Sequence, residues 1–339
     1  MRAVRFHRHG GPEVLQYEEV PDPAAAPGRA LVRVRACALN HLDLWERRGI
    51  DRVTLPLPHI SGSDIAGEVV DAGGADLAAG QRVMLQPGLR CGTCPACAAG
   101  RDNQCVTYDV LGLRSDGGYA ELISVPAENL IAVPPHVDFM TAAAFPLTFL
   151  TAWHMLMTRA GLREGDVVLV LAGGSGVGQA AIQLARHFGA RVFATSAPAK
   201  AARTLALGAE RVFDHYGGDF SREVRALTGG RGADIVIEHV GEATWDRSVR
   251  SLAAGGRLVT CGATTGHTAA VDLRHLFARQ LSLLGSYMGR FSELVTAASL
   301  LFDGRVRPVI DEVLPLRCAA DAQRRLEEKG QFGKVVLEV

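Results

Sequence analysis

Val167–Gly178 reads VVLVLAGGSGVG. Five apolar residues, three of them valine, run into a glycine-rich turn. Behind the turn comes QAAIQLARHFGA, with Ala180, Ala181, Ile182, Leu184, Ala185 and Phe188 at helical spacing, and then a second apolar run, Arg191–Thr195. A short unbroken apolar run predicts a strand buried on both faces. Strand, turn, helix and strand make a βαβ unit, whose first turn receives the pyrophosphate of a dinucleotide. Small residues are needed there because backbone N–H groups must approach phosphate oxygens. Gly173 suits the tight turn and Gly178 the close packing of helix on strand. Ser175, between Gly174 and Gly176, replaces the middle glycine of G-x-G-x-x-G. Val177 completes the motif.

The choice of dinucleotide follows from a missing residue. NAD sites place an Asp or Glu about 20 residues beyond the first glycine, on the ribose 2′-hydroxyl. That place is Thr195–Ser196, and no acidic residue occurs from Val167 through Ala209. Ser196, Lys200 and Arg203 suit a 2′-phosphate, with His215 nearby in sequence. NADPH is therefore the expected cofactor.

A chain of 339 residues suggests two domains. Lys plus Arg equals Asp plus Glu at 36 each, so charge makes no case for a nucleic acid or an acidic membrane partner. The N-terminus lacks the apolar core of a signal peptide. The apolar region Ala142–Met157 is interrupted by Pro146, Thr148, Thr151 and His154, too often for a membrane span. A cytoplasmic location is expected.

Residues 1 to 90 read as β-rich: Ala30–Ala36 alternates apolar residues with arginine, and Gly67–Asp71 and Arg82–Gln86 are further strands. Asn40–Arg48 is a short helix ending at Gly49. Cys91, Cys94, Cys97 and Cys105 follow at C-x2-C-x2-C-x7-C. Four thiolates at this spacing close a tetrahedral zinc site with no open position, so the metal is structural. Disulfides fit poorly in one tight loop without an export signal. Gly118–Val125 is another strand, and Thr141–Arg159 a helix broken or kinked near Pro146. Arg211–Phe213, Ala233–Ile237, Arg257–Cys261 and Leu281–Leu284 read as strands, and Trp245–Leu252 as a helix closed by Gly255–Gly256. Strands alternating with helices give a doubly wound parallel sheet. The tail from Glu312 returns to short strands, ending in Lys334–Val339.

In its GGPEVL, ALNHLDL, four-cysteine, AGGSGVG, ADIVIEHVG, LLGSYMG and FGKVVLEV segments the chain resembles the medium-chain dehydrogenase/reductase superfamily. Zinc alcohol dehydrogenases and quinone oxidoreductases belong to it. The resemblance runs along essentially the whole chain. It implies an α/β fold with a GroES-like β-barrel domain, residues 1–144 and 290–339, and an inserted Rossmann domain, residues 145–289. It also implies contacts from Val240, Gly262, Ala263, Ser286, Met288 and Lys334 to the dinucleotide, and a homodimer or homotetramer.

The chain departs from the alcohol dehydrogenases at the catalytic zinc. Asn40 stands at the first Cys position, Ser63 and Asp64 at a His-Glu pair, and Thr148 near the third ligand. Amide and hydroxyl groups are poor zinc ligands. Without that metal, a simple ketone lacks its Lewis acid. A conjugated carbonyl or quinone is the easier acceptor, because charge delocalises and hydrogen-bond donors suffice. Asn40 is the expected donor, assisted by Thr148, with Asp43 shaping the cleft. Two alternatives stay open: an alcohol dehydrogenase with zinc shifted onto Cys37, His41, His59 and Asp64, and a non-enzymatic NADPH-binding protein.

Overall fold

In the computed structural model all residues are described except Ala25 and Arg52. The chain divides into two compact units, Met1–Leu147 with Arg290–Val339, and Thr148–Gly289.

The first unit is built on one long strand, Arg29–Ala38. Ala30, Val32, Val34 and Ala36 are buried while Arg29 and Arg33 reach solvent, as period-two patterning requires. Asp64–Asp71, Leu122–Pro126 and the C-terminal strand Lys334–Glu338 all pair antiparallel with it. Arg82–Leu85 and Leu130–Ala132 extend the sheet on one side and Ile310–Pro315 on the other, making seven strands. Strands from the first 132 residues and from the C-terminal tail thus share one sheet, packed over a core that includes Val34, Ile65, Tyr119 and Leu337.

The second unit carries the parallel sheet. Its strands are β1 (Val167–Val170), β2 (Arg191–Ser196), β3 (Arg211–Asp214), β4 (Ala233–Glu238), β5 (Leu252–Thr260) and β6 (Ser282–Gly285). The helices are α1 (Gly176–His187), α2 (Ala201–Ala206), α3 (Phe220–Leu227), α4 (Glu242–Arg250) and α5 (Leu273–Ala278). The spatial order is β3-β2-β1-β4-β5-β6, all parallel. This is the doubly wound order whose ligand crevice opens at the carboxyl ends of the strands. All four residues of β1 are buried, as its apolar run predicts.

Several boundaries differ from the sequence expectation. The helix expected to break or kink near Pro146 is broken there and starts earlier: Phe139–Ala143 and Pro146–Trp153 are separate, followed by a wider π-turn at His154–Arg159. Gly255 and Gly256 lie inside β5, and α4 ends earlier, at Arg250. Gly255 turns there with a φ of 72°, which lets the strand restart its pairing at Arg257. The tail contains a helix, Ala319–Glu327, where only strands were expected. Its buried Ala319, Ala322 and Leu326 do follow helical spacing.

Candidate functional site

The dinucleotide end of the second unit is assembled by short-range forces. The left-handed residue of the turn is Ala172, with a φ of 48°, and not Gly173. Gly173 is required for packing: a Cβ there would lie 2.7 Å from Thr204 Cγ2 and 3.0 Å from Ile182 Cδ1. At Gly178 a Cβ would fall 2.3 Å from the Ala172 carbonyl oxygen, so the helix start could not close on the turn. Ser175 caps α1, its Oγ accepting from Gly178 N–H at 2.9 Å. The early amides of α1, at Gly176 and Val177, belong to the group that a helix N-terminus leaves for an anion.

Around this turn the strand ends are cross-braced. Thr195 Oγ1 accepts from Ala172 N–H at 3.0 Å and meets His215 Nδ1 at 2.8 Å. Ser196 Oγ donates to its neighbour's carbonyl, and Lys200 ends the turn Pro198–Lys200 that follows β2. Glu238, fully buried at the end of β4, accepts from Val240 N–H, Gly241 N–H, the Thr244 hydroxyl and the Ser248 hydroxyl. These four bonds fix the loop that carries Val240. Gly262 and Ala263 follow β5, and Ser286 and Met288 follow β6.

His239, in the same loop, was not singled out in sequence. Its Nε2 lies 2.9 Å from Ser175 Oγ, while its Nδ1 is buried without a partner among the described residues. Burial, with repulsion from His215, pushes the imidazole down to about 4, so the ring is neutral at pH 7. The signal for it was its place directly after a buried strand in the βαβ crevice. An orphaned buried nitrogen beside an amide cradle kept open by Gly178 fits a dinucleotide phosphate or ribose.

The barrel unit holds the other group of expected residues. Asn40 N-caps the helix His41–Arg48, and Asp43 returns the bond, its Oδ2 accepting from Asn40 N–H at 2.9 Å. The Tyr119 hydroxyl donates to the same oxygen at 2.9 Å. Burial pushes the Asp43 carboxyl up to about 6. Asp43 therefore fixes the backbone of Asn40.

Lys334 reaches this helix from the far end of the chain. Its ammonium donates to Leu39 O at 2.6 Å, Asn40 Oδ1 at 2.7 Å and Asp64 Oδ2 at 2.8 Å. An ammonium has three donors, so Lys334 is saturated within the barrel. It was expected to touch the dinucleotide. Asn40 Nδ2 donates to Asp64 Oδ2 at 2.9 Å, and Asp64 Oδ1 accepts from Leu147 N–H at 2.7 Å. Oxygen towards ammonium and nitrogen towards carboxylate fixes the amide orientation. One Nδ2 hydrogen remains. Ser63 is buried, its hydroxyl unpartnered among the described residues. Thr148 lies in the second unit and is 2% exposed.

The four cysteines converge. Their sulfurs lie within 4.8 Å of one another, with Cys91–Cys105 at 3.5 Å and Cys94–Cys97 at 3.6 Å. A zinc with bonds of about 2.3 Å needs sulfurs about 3.8 Å apart, so the donor set fits the metal. Backbone N–H groups of Thr93 and Cys94 pull the Cys91 thiol down to about 6. Burial and the neighbouring sulfurs push Cys97 up to about 12. The cluster becomes four thiolates only when a cation joins it. Among the described residues no other set of three or more ligand-type groups converges, so Cys37, His41, His59 and Asp64 do not gather into a shifted site.

Comparison with known proteins agrees with this layout. The family model described as alcohol dehydrogenase GroES-like domain matches residues 26–135, and that described as zinc-binding dehydrogenase matches residues 176–303. A quinone oxidoreductase of Pongo abelii is 28% identical over 99% of this chain and 97% of its own. An acryloyl-coenzyme A reductase of Metallosphaera sedula is 29% identical over 98% of both chains. A solved NAD-dependent alcohol dehydrogenase superposes with a TM-score of 0.97, at 46% identity over 100% of both chains. No helix among the described residues is long and apolar enough to cross a membrane.

Two outcomes follow from this geometry. Purified protein is expected to hold about one zinc per chain, and Cys91→Ser to lower the melting temperature while sparing turnover per folded molecule. A second stoichiometric zinc in elemental analysis would contradict the single cluster. The other outcome concerns Glu46, fully buried with the His59 imidazole 4.0 Å away. Burial, then repulsion from Asp43, holds its carboxyl well above the ordinary range. A carboxyl raised in the folded chain stabilises fully below its unfolded pKa, and that contribution is lost as pH rises through the folded one. Relative to Glu46→Gln, the wild type should lose stability as pH climbs from about 4. Urea midpoints that keep a constant gap across pH would refute this.

By its domains, its parallel sheet and its four-cysteine cluster, the chain belongs to the medium-chain dehydrogenase/reductase superfamily, whose members are NAD(P)-dependent oxidoreductases.

Proposed function

We propose that this enzyme is an NADPH-dependent reductase of conjugated carbonyl compounds or quinones that works without a catalytic zinc. The observation that carries the reading is the buried Lys334–Asp64–Asn40 network. At the positions where alcohol dehydrogenases hold a metal, an ammonium already satisfies the carboxylate and the amide oxygen. Replacing it by a dication would require deprotonating or expelling Lys334, 2% exposed and hydrogen-bonded three times.

The reduced nicotinamide, when bound, supplies the hydride. What the chain supplies is a polarised donor. Asn40 keeps one Nδ2 hydrogen, and its amide is aligned by a cation at the oxygen and an anion at the nitrogen. That hydrogen meets the substrate oxygen as negative charge moves onto it from the β-carbon. A fixed donor stabilises the charge without reorganising. Thr148 assists, Asp43 holds the Asn40 backbone, and the proton comes from water. On the cofactor, Ser196, Lys200 and His215 take the 2′-phosphate. The relatives support the acceptor class: one is named for quinones, the other for an acryloyl thioester. NADH is the second reading, favoured by the 46% identical structure, which is that of an NAD-dependent alcohol dehydrogenase.

Steady-state oxidation of NADPH and NADH, scanned over an enone, a quinone, an aldehyde and a simple ketone, separates these readings. Enone and quinone should turn over best. Asn40→Ala should cut kcat by up to about 10²–10³ with little change in the KM for NADPH. Lys200→Ala should raise the KM for NADPH and leave NADH alone, because only NADPH carries the extra charge. Unchanged turnover in Asn40→Ala removes that residue from the chemistry. Rapid inhibition by a chelator without unfolding favours the shifted zinc, and no turnover of any acceptor favours a dinucleotide-binding protein.

A further inference from the structure

A second polar cavity lies in the parallel-sheet unit, away from the glycine-rich turn. It measures about 330 Å³ and is lined by Asp219, Ser221, Arg222, Arg225, Arg250, His275 and Arg279. Four guanidiniums face one carboxylate. Asp219 is already engaged: it accepts from Ser221 N–H and Oγ–H and pairs with Arg222 at 3.3 Å. Arg250 pairs with Asp246.

Arg225 and Arg279 have no carboxylate partner among the described residues. Both donate to the same carbonyl oxygen, that of Leu252, at 3.2 and 3.1 Å. Arg225 also holds Arg250 O and Gly230 O. These carbonyls close the ends of α3 and α4, which explains why arginines sit here. They do not explain two positive charges drawn to one acceptor without an anion. Burial and the Arg279 charge together hold Arg225 below the usual guanidinium range. Nor do the carbonyls use every donor. Arg279 Nε, a donor because the guanidinium stays protonated, is buried without an acceptor among the described residues, and His275 Nε2 is buried without a partner among them.

We propose that this cavity is an anion site for a small phosphate-bearing molecule, distinct from the dinucleotide site. Guanidiniums bind phosphate oxygens in paired, charge-assisted fashion, and the side chains of Arg222 and Arg250 are open to an incoming anion, at 87% and 51% exposed. The volume suits a small ligand. Lys plus Arg equals Asp plus Glu at 36 each, so no overall positive charge favours a nucleic acid over a small anion. Leu252 opens β5, so the arginines gather at the amino ends of the strands, whereas the glycine-rich turn lies at the carboxyl ends. Occupants of the two sites do not compete.

Calorimetric titration with inorganic pyrophosphate at fixed ionic strength, with and without saturating NADPH, tests this on the intact protein. With NADPH saturating and the glycine-rich turn filled, one pyrophosphate per chain should still bind. Arg250→Gln with Arg279→Gln should weaken it about tenfold or more while leaving NADPH affinity unchanged. Arg222→Gln with Arg250→Gln offers a second variant safe for the fold, because neither side chain holds a backbone carbonyl and both are exposed, at 87% and 51%. It should weaken pyrophosphate in the same direction. Binding abolished by NADPH, or equal in wild type and both variants, overturns the proposal. Tighter binding of a single-stranded oligonucleotide, lost in the same variants, overturns it too and makes the face a nucleic-acid surface.

Discussion

The barrel unit depends on one buried charge. Lys334 and Asp64 meet at 2.8 Å with side chains 2% and 0% exposed. Burying an ion pair costs more in lost hydration than Coulomb attraction returns, unless the remaining donors and acceptors are also met. Here they are: Leu39 and Asn40 complete the ammonium, and Leu147 and Asn40 complete the carboxylate. The pair in turn depends on strand register. The C-terminal strand lies against Arg29–Ala38 with Val336 opposite Ala38, and Leu39 N–H donates to Val335 O. A slip of one residue would turn Lys334 to the other face and leave the buried Asp64 without its counter-ion. The same register that closes the sheet therefore sets the Asn40 amide.

The parallel-sheet unit is organised by neutral and anionic hydrogen bonding instead. Glu238 gathers two backbone amides and two hydroxyls at the end of β4. A buried carboxylate served this fully rigidifies the loop it caps. Beside it, Ser175 binds both the first turn of α1 and the His239 ring. A serine in a glycine position thus links β1 to β4 across the crevice. A glycine would leave the helix uncapped and the imidazole without that bond.

Local chemistry was legible in the sequence. The four cysteines fall within one loop, so their spacing alone brings the sulfurs within reach of one ion. The glycine-rich turn is bounded by adjacent elements, and the alternation in Ala30–Ala36 gives its buried face directly. Errors arose where a local rule met a tertiary demand. Gly255 and Gly256 entered a strand, and the left-handed residue of the turn was Ala172 although a glycine stood beside it.

The sequence by itself determined the superfamily fold, the cysteine cluster and the absence of a carboxylate beyond the dinucleotide turn, because each is written in contiguous residues. Only the tertiary structure decided what Asn40 touches. Lys334 lies 294 residues away along the chain, and no periodicity connects the two. The orphaned nitrogen of His239 and the opposed guanidiniums of Arg225 and Arg279 are likewise products of packing. Hydrogen-bond satisfaction is a property of three-dimensional neighbours, and a sequence lists donors and acceptors without saying which of them will be left over.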